Sequence, residues 1–212
     1  AFLDSRCRQP IGSRGALDYH LFEALRTLTY GKTFLFNLLV SSNGPMTFYA
    51  DSPLTRRIGE QHLAQRLQQA IEGEVLFDAF SRGRYSTDAS IYQVEPIGVV
   101  TPRSENDIAA IVTICREEGV PLLARGAGTS QCGQTVGLAL VMDVSRHLNQ
   151  VLTFEPDQRN VTVQPGIVLD ELNAFLKPHG LCFPIDVSTA SRATLGGMTG
   201  NNSCGARSTR YG

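Results

Sequence analysis

The feature that most constrains this chain is a cluster of glycines where a strand should give way to another element. ARGAGTSQCGQTVG, residues 124–137, carries Gly126, Gly128, Gly133 and Gly137, with Thr129, Ser130 and Thr135 around Cys132, and no lysine. VPLLA (120–124) reads as a strand before it and LALVMDV (138–144) as a strand after it. Glycine allows positive φ and close approach of backbone to a neighbour. Hydroxyls and free backbone N–H groups suit an anion. An ordinary surface turn needs one or two glycines. Two readings follow, a cradle for a phosphate or a tight connection between two strands.

A second segment shifts the balance. TLGGMTGNNSCG (194–205) repeats the same chemistry, and its Leu195, Met198 and paired Asn201-Asn202 are not linker residues. Two such loops flanking one sheet and helix suit a long ligand with phosphate in the middle and flat rings at the ends.

The remaining chain supplies the frame. GEQHLAQRLQQAI (59–71) puts Leu63, Leu67, Ala70 and Ile71 on one helical face, while residues 74–92 read as irregular. PIGVVTP (96–102) reads as a buried strand. Ser104 reads as the N-cap of a helix whose inner face is Ile108, Ile111, Val112 and Cys115, closed by Gly119. VLTFEP and NVTVQPG, joined by the turn chemistry of EPDQRN, predict a hairpin. A helix at 167–180 follows, with Leu169, Leu172, Leu176 and Phe175 inward. The fold class is α+β.

Several functions are excluded. A net charge of −1 lacks the basic excess of a nucleic-acid binder. The longest apolar run, TFLFNLLV at 33–40, is far short of the roughly 20 residues of a membrane-spanning helix. Cys7, Cys115, Cys132, Cys182 and Cys204 form no C-x-x-C, which fits a reducing, cytoplasmic setting. The histidines show no metal-ligand spacing. Gly31-Lys32-Thr33 is not a Walker loop, because Arg26 occupies the required glycine position, and Gly126, Gly128 and Gly133 lack the Rossmann spacing.

VPLLARGAGTSQCG, followed by VQPGIVLDELNAFLKPHGLCFPIDVSTASRATLGGMTGNNSCG, resembles the FAD-binding domain of the FAD-linked oxidases. That family includes vanillyl-alcohol oxidase, p-cresol methylhydroxylase, glycolate oxidase and D-lactate dehydrogenase. RYSTDASIY and PIGVVTPRSENDI extend the resemblance over about 84–212. The S-T-D-A-S and G-N-N-S-C-G-A-R-S versions are most similar to large bacterial FAD-linked dehydrogenases of D-2-hydroxy acids that carry an appended iron–sulfur module.

The resemblance implies a p-cresol methylhydroxylase-type domain of two small α/β subdomains with the cofactor between them, C-terminally truncated here. It divides the chain into an N-terminal extension (1–45), a helical lead-in (46–83) and the FAD-binding domain (84–212). It places Arg125, Gly126, Ala127, Gly128, Thr129, Ser130 and Gly133 in the pyrophosphate loop, and Pro165 and Gly166 in a turn near the cofactor. It puts Pro184, Asp186 and Ser188 on the approach to the flavin. Thr194, Gly196, Gly197, Gly200, Asn201 and Gly205 fall in the second contact loop. The first loop has no histidine to tether the cofactor, so non-covalent FAD is implied.

No catalytic residue and no metal ligand is assigned. Catalytic groups and any iron–sulfur cluster are expected in C-terminal sequence outside this chain. The implied partners are FAD, a small hydroxy-acid substrate and an electron acceptor that the sequence does not identify. An enolpyruvyl reductase, the flavin domain of a molybdenum hydroxylase and a nucleotide-binding module without activity stay open as alternatives. Arg192, Arg207 and Arg210 read as solvated surface, His179 as a helix-end residue, and Cys132 and Cys204 as buried small residues.

Overall fold

Alternating strand and helix patterns from residue 96 onward become a mixed sheet in the computed structural model, which describes residues 52–211. These residues belong to one compact unit. The N-terminal extension, the apolar run at 33–40 and the G-K-T lie outside the described residues.

Helix α1 (Gln61–Ala70) buries Leu63, Ala64 and Leu67, with Ile71 just beyond its end. Ala70, expected inward, is exposed instead, because α1 and the later helix Glu105–Glu117 leave an open groove there, lined by Ala70, Ala109, Ala110 and Thr113. Residues 74–92 are more regular than their sequence suggests. Strand β1 (Glu74–Leu76) forms by antiparallel pairing with β2 (Gly98–Thr101), a partnership no local pattern reveals. Between them, the Asp78 carboxylate accepts from Ser81 N at 2.9 Å and starts helix α2 (Ala79–Tyr85).

Ser104 caps α3 (Glu105–Glu117), accepting from Asp107 N at 3.2 Å. The helix buries Asp107, Ile111, Ile114 and Cys115, whereas Ile108 and Val112 are half-buried. Asp107 is polar yet 3% exposed, because its carboxylate accepts from Glu72 N (3.0 Å), Gly73 N (3.0 Å) and Arg103 N (2.8 Å). Gly119, at φ +63°, ends the helix.

Strands β3 (Leu122–Arg125) and β4 (Leu140–Asp143) complete the sheet, in the order β1-β2-β4-β3. Strands β2, β4 and β3 run parallel. Every residue of β2 and β4 is buried, which fits their apolar runs, and the polar residues that end them, Thr101 and Asp143, are buried as well. One core lies here, built on Leu63, Leu67, Ile97, Ile111, Leu140 and Met142.

A second core forms further along the chain. The hairpin β5 (Val151–Glu155) and β6 (Asn160–Val163) packs on α4 (Leu169–Leu176) and α5 (Leu195–Gly200) through Val161, Leu169, Leu172, Leu176, Leu195 and Met198. Phe175 is 40% exposed rather than inward, its ring edge-on to Phe154 at 5.3 Å, with the His179 ring 4.7 Å from Phe154. Helix α6 (Ser208–Tyr211) closes the described chain. These two large cores, with a small third cluster of Tyr85, Val99 and Val141, lie in one compact unit of α+β fold.

Candidate functional site

The parallel pairing of β3 with β4 positions the first glycine loop. Two adjacent parallel strands need a long crossover, and residues 126–139 make this one without a helix. The loop therefore leaves the carboxyl end of β3, the end at which open α/β sheets bind ligands. Gly128 and Gly133 take φ of +68° and +70°, where other residues would be strained.

Its hydrogen bonds are unevenly distributed. Ser130 Oγ accepts from Cys132 N (3.2 Å) and Gln134 N (3.4 Å) and donates to Gln134 Oε1 (2.9 Å), folding the far half of the loop on itself. Among the described residues, the backbone N–H groups of residues 126–131 donate to no protein acceptor. Six successive unspent donors at the end of a parallel sheet are suited to an anion.

The segment 85–92 clasps this loop. Ala89 N donates to Gly128 O (3.1 Å), and Thr135 Oγ1 donates to Asp88 Oδ2 (3.0 Å). Burial alone would raise the Asp88 carboxyl, but hydrogen bonds from Ser90 and Thr135 hold it below the usual range. Tyr92 lies against Gly133, where a Cβ would come within 2.6 Å of the ring. Tyr85 is buried beneath, its hydroxyl donating to Asp143 Oδ2 at 2.6 Å, and burial with this bond pushes its pKa up to about 12.

Arg125 points under the loop. Its guanidinium donates to the carbonyls of Tyr85 (3.3 Å), Thr135 (3.3 Å) and Thr87 (2.9 Å) and stacks over the Tyr85 ring at 5.2 Å. Burial lowers its pKa, with Asp143, Tyr85 and Asp88 acting the other way.

The second glycine segment is helical, despite its glycines. Thr194 caps α5, its Oγ1 accepting from Gly197 N at 3.2 Å. The other early amides are also partnered, Leu195 N with Ile167 O, Gly196 N with Pro165 O and Met198 N with Thr194 O. This helix start keeps no unpartnered donor for an anion. Its glycines permit close packing instead. A Cβ at Gly126 would meet Thr194 Oγ1 at 2.2 Å, one at Gly196 would meet Pro165 Cβ at 2.6 Å, and one at Gly205 would meet Asp186 O at 1.5 Å.

The structure thus brings Gly126 to Thr194, Pro165 to Gly196, and Asp186 to Gly205, with Asp186 Oδ1 also accepting from Arg207 N at 2.9 Å. Gly166 is buried against the carbonyls of Val144 and Leu148. Pro184 is half-buried; Ser188, Gly197, Gly200 and Asn201 are exposed, and Asn201 Nδ2 donates to Ser203 Oγ at 2.9 Å. Arg192, Arg207 and Arg210 are exposed. Cys132 and Cys204 are exposed as well, contrary to their expected packing role, because each sits on a loop with no core beneath it. Thr87 and Ala89, quoted only within S-T-D-A-S, and Thr135, named only as a loop hydroxyl, were given no place in the site by sequence. The one local signal was the Asp88–Ser90 pair, whose carboxylate accepts Ser90 N at 2.8 Å. Among the described residues no group of His, Cys, Asp and Glu is placed to hold a metal, and no helix is long and apolar enough to cross a membrane.

Comparison with known proteins identifies the family. Residues 96–212 match the model of a family described as FAD binding domain. The chain is 41% identical over 147 residues to a D-2-hydroxyglutarate dehydrogenase of Pantoea ananatis, covering 68% of this chain and 14% of that protein. Among solved structures, an alkyldihydroxyacetonephosphate synthase superposes with a TM-score of 0.65 at 21% identity, covering 72% of this chain and 34% of the other. A p-cresol methylhydroxylase with substrate bound superposes at 0.52 and 16% identity, covering 68% and 29%. Both share the fold.

Proposed function

Because this chain belongs to the family of FAD-binding domains, we propose that it is the FAD-holding part of a flavin-dependent dehydrogenase that oxidises a D-2-hydroxy acid. The observation that carries the cofactor site is the row of six unspent N–H groups at 126–131. The reaction class is supported by the 41% identity to a D-2-hydroxyglutarate dehydrogenase. When bound, FAD supplies the two-electron acceptor that oxidation of an alcohol carbon requires.

The chain's own residues bind and orient. The amides of Gly126, Ala127, Gly128, Thr129 and Ser130 hold the pyrophosphate, each charge-assisted bond contributing roughly 1.5–3 kcal/mol. Gly133 keeps the loop turned against Tyr92. The turn at Pro165 and Gly166, the segment from Pro184 through Asp186 to Ser188, and Thr194, Gly196, Gly197, Gly200, Asn201 and Gly205 form the wall beside that loop. In that wall Thr194, Pro165 with Gly196, and Asp186 with Gly205 act by close packing, which suits a flat ring system, while Ser188, Gly197, Gly200 and Asn201 stay exposed. No histidine stands in residues 124–137, so the cofactor is held without a covalent tether. The FAD-binding domain runs over 84–212, its substrate is a small 2-hydroxy acid, and its free cysteines suit a reducing, cytoplasmic setting.

The test is flavin retention. The purified chain mixed with FAD and desalted should keep the flavin absorbance. Gly128→Val should lose it with an unchanged far-ultraviolet circular dichroism spectrum, since valine is strained at φ +68° and its Cβ would lie 2.6 Å from Arg125 Nη2. Full flavin retention in that variant would remove the loop from the site.

A further inference from the structure

The arginine that opens the glycine loop is placed unlike an anion ligand. Its guanidinium donates to three backbone carbonyls drawn from separate places, Tyr85 and Thr87 between β1 and β2 and Thr135 at the far end of the loop. The turn at Gly128 lies directly on it, since a Cβ there would be 2.6 Å from Nη2 and 3.1 Å from Cζ. One face rests on the Tyr85 ring. We propose that Arg125 is a positioning residue, the template around which residues 85–89 and 126–135 are laid so that the N–H row at 126–131 is presented ready-made. This rests on the reading that the row holds the FAD pyrophosphate.

Three considerations support it. Carbonyl oxygens that converge on a cation are lost as acceptors to the nearby amides, which leaves those amides for a ligand. Only a planar fork with donors on separate nitrogens reaches carbonyls on several sides at once; an ammonium is a single point with three donors. The charge itself is also spoken for. Asp143 and Asp88 both lie close enough to act on Arg125, and with three carbonyls they leave little of the positive charge to attract phosphate. What the site offers the ligand is therefore shape and oriented dipoles, prepared before binding.

The test uses the whole chain with R125K and R125Q. Without nucleotide, hydrogen exchange is followed at the amides the clasp protects, Ala89 (to Gly128 O) and Cys132 and Gln134 (to Ser130 Oγ). Both variants should lose protection there while α3 keeps its own. FAD titration should then show both variants weakened alike, by about tenfold or more. R125K at wild-type affinity with R125Q weakened would mark a charge contact and overturn the proposal. Unchanged protection at Ala89, Cys132 and Gln134 in R125Q would overturn it too. So would loss of protection throughout α3 in R125K, because Arg125 would then hold the sheet and not the loop. If the wild-type chain binds no FAD, the cofactor reading fails, while the exchange measurement still decides what Arg125 does.

Discussion

The contact between the two glycine segments gives a sharp quantitative test. Gly126 does not carry a positive φ, so adding a methyl there strains no backbone; the cost is purely steric. The three atoms nearest to that methyl all belong to Thr194, with Oγ1 at 2.2 Å, Cβ at 3.4 Å and Cγ2 at 3.5 Å. Thr194 is 2% exposed and its Oγ1 caps α5, so it cannot swing away without losing that bond. Gly126→Ala should therefore cost about 2 kcal/mol, in the middle of the overpacking range. Thr194→Ala should cost about 1.5 kcal/mol, from the lost cap and a buried methyl. In the double variant only Cβ of residue 194 remains near, at an ordinary contact distance, so the total should stay about 1.5 kcal/mol instead of summing to about 3.5. The chain has no tryptophan, so urea unfolding is followed by circular dichroism. A coupling of about 2 kcal/mol should return the midpoint by roughly 1 M relative to additivity. Additive costs would refute the contact, and with it the convergence of the two segments.

Two further outcomes follow from single side chains. Three backbone N–H groups hold the Asp107 carboxyl below its ordinary value despite burial, which alone would raise it. That stabilisation is complete above the unfolded value near 3.9 and is lost as pH falls through the folded value. D107N should thus cost about 2 kcal/mol at pH 7, with the gap to wild type narrowing below about pH 4, measured by urea unfolding at each pH. Cys132 and Cys204 are exposed while burial pushes the Cys115 thiol up to about 12. Neutral-pH alkylation mapped by mass spectrometry should modify the first two in the folded chain and Cys115 only after unfolding.

Much of the fold was legible because it is written in local periodicity. The capped helix at Ser104, the buried strands β2 and β4, the hairpin and, Phe175 apart, the inner face of α4 all follow from spacing and turn residues. What escaped depends on partners distant in sequence. Strand β1 exists through β2, and α1 turns Ala70 outward because its neighbour α3 leaves a groove there. Helix α5 was hidden by its composition. Gly196, Gly197 and Gly200 argue against a helix, yet Thr194 caps it and Leu195 and Met198 anchor it in the second core. Tertiary burial overrode propensity. At the site, the glycines themselves were visible, but the clasp by Thr87 and Ala89 was not, since backbone carbonyls and amides carry no signature in the residue that bears them.

Similar composition in the two glycine segments conceals opposite uses of the backbone. In each, small residues let main chain come close to something. At 194–200 that something is the protein, and the early amides of α5 are spent on Ile167, Pro165 and Thr194. At 126–131 the amides are left over, because the loop begins at a strand's carboxyl end with an arginine beneath it that engages carbonyls from both flanks. A glycine-rich run can thus act as donor row or as packing surface. What surrounds it decides which: the Thr194 cap with the carbonyls of Ile167 and Pro165 closes the amides off, whereas a half-buried guanidinium gathers carbonyls from both flanks of the donor row. In this chain the two solutions touch at Gly126 and Thr194, so the packing surface braces the donor row.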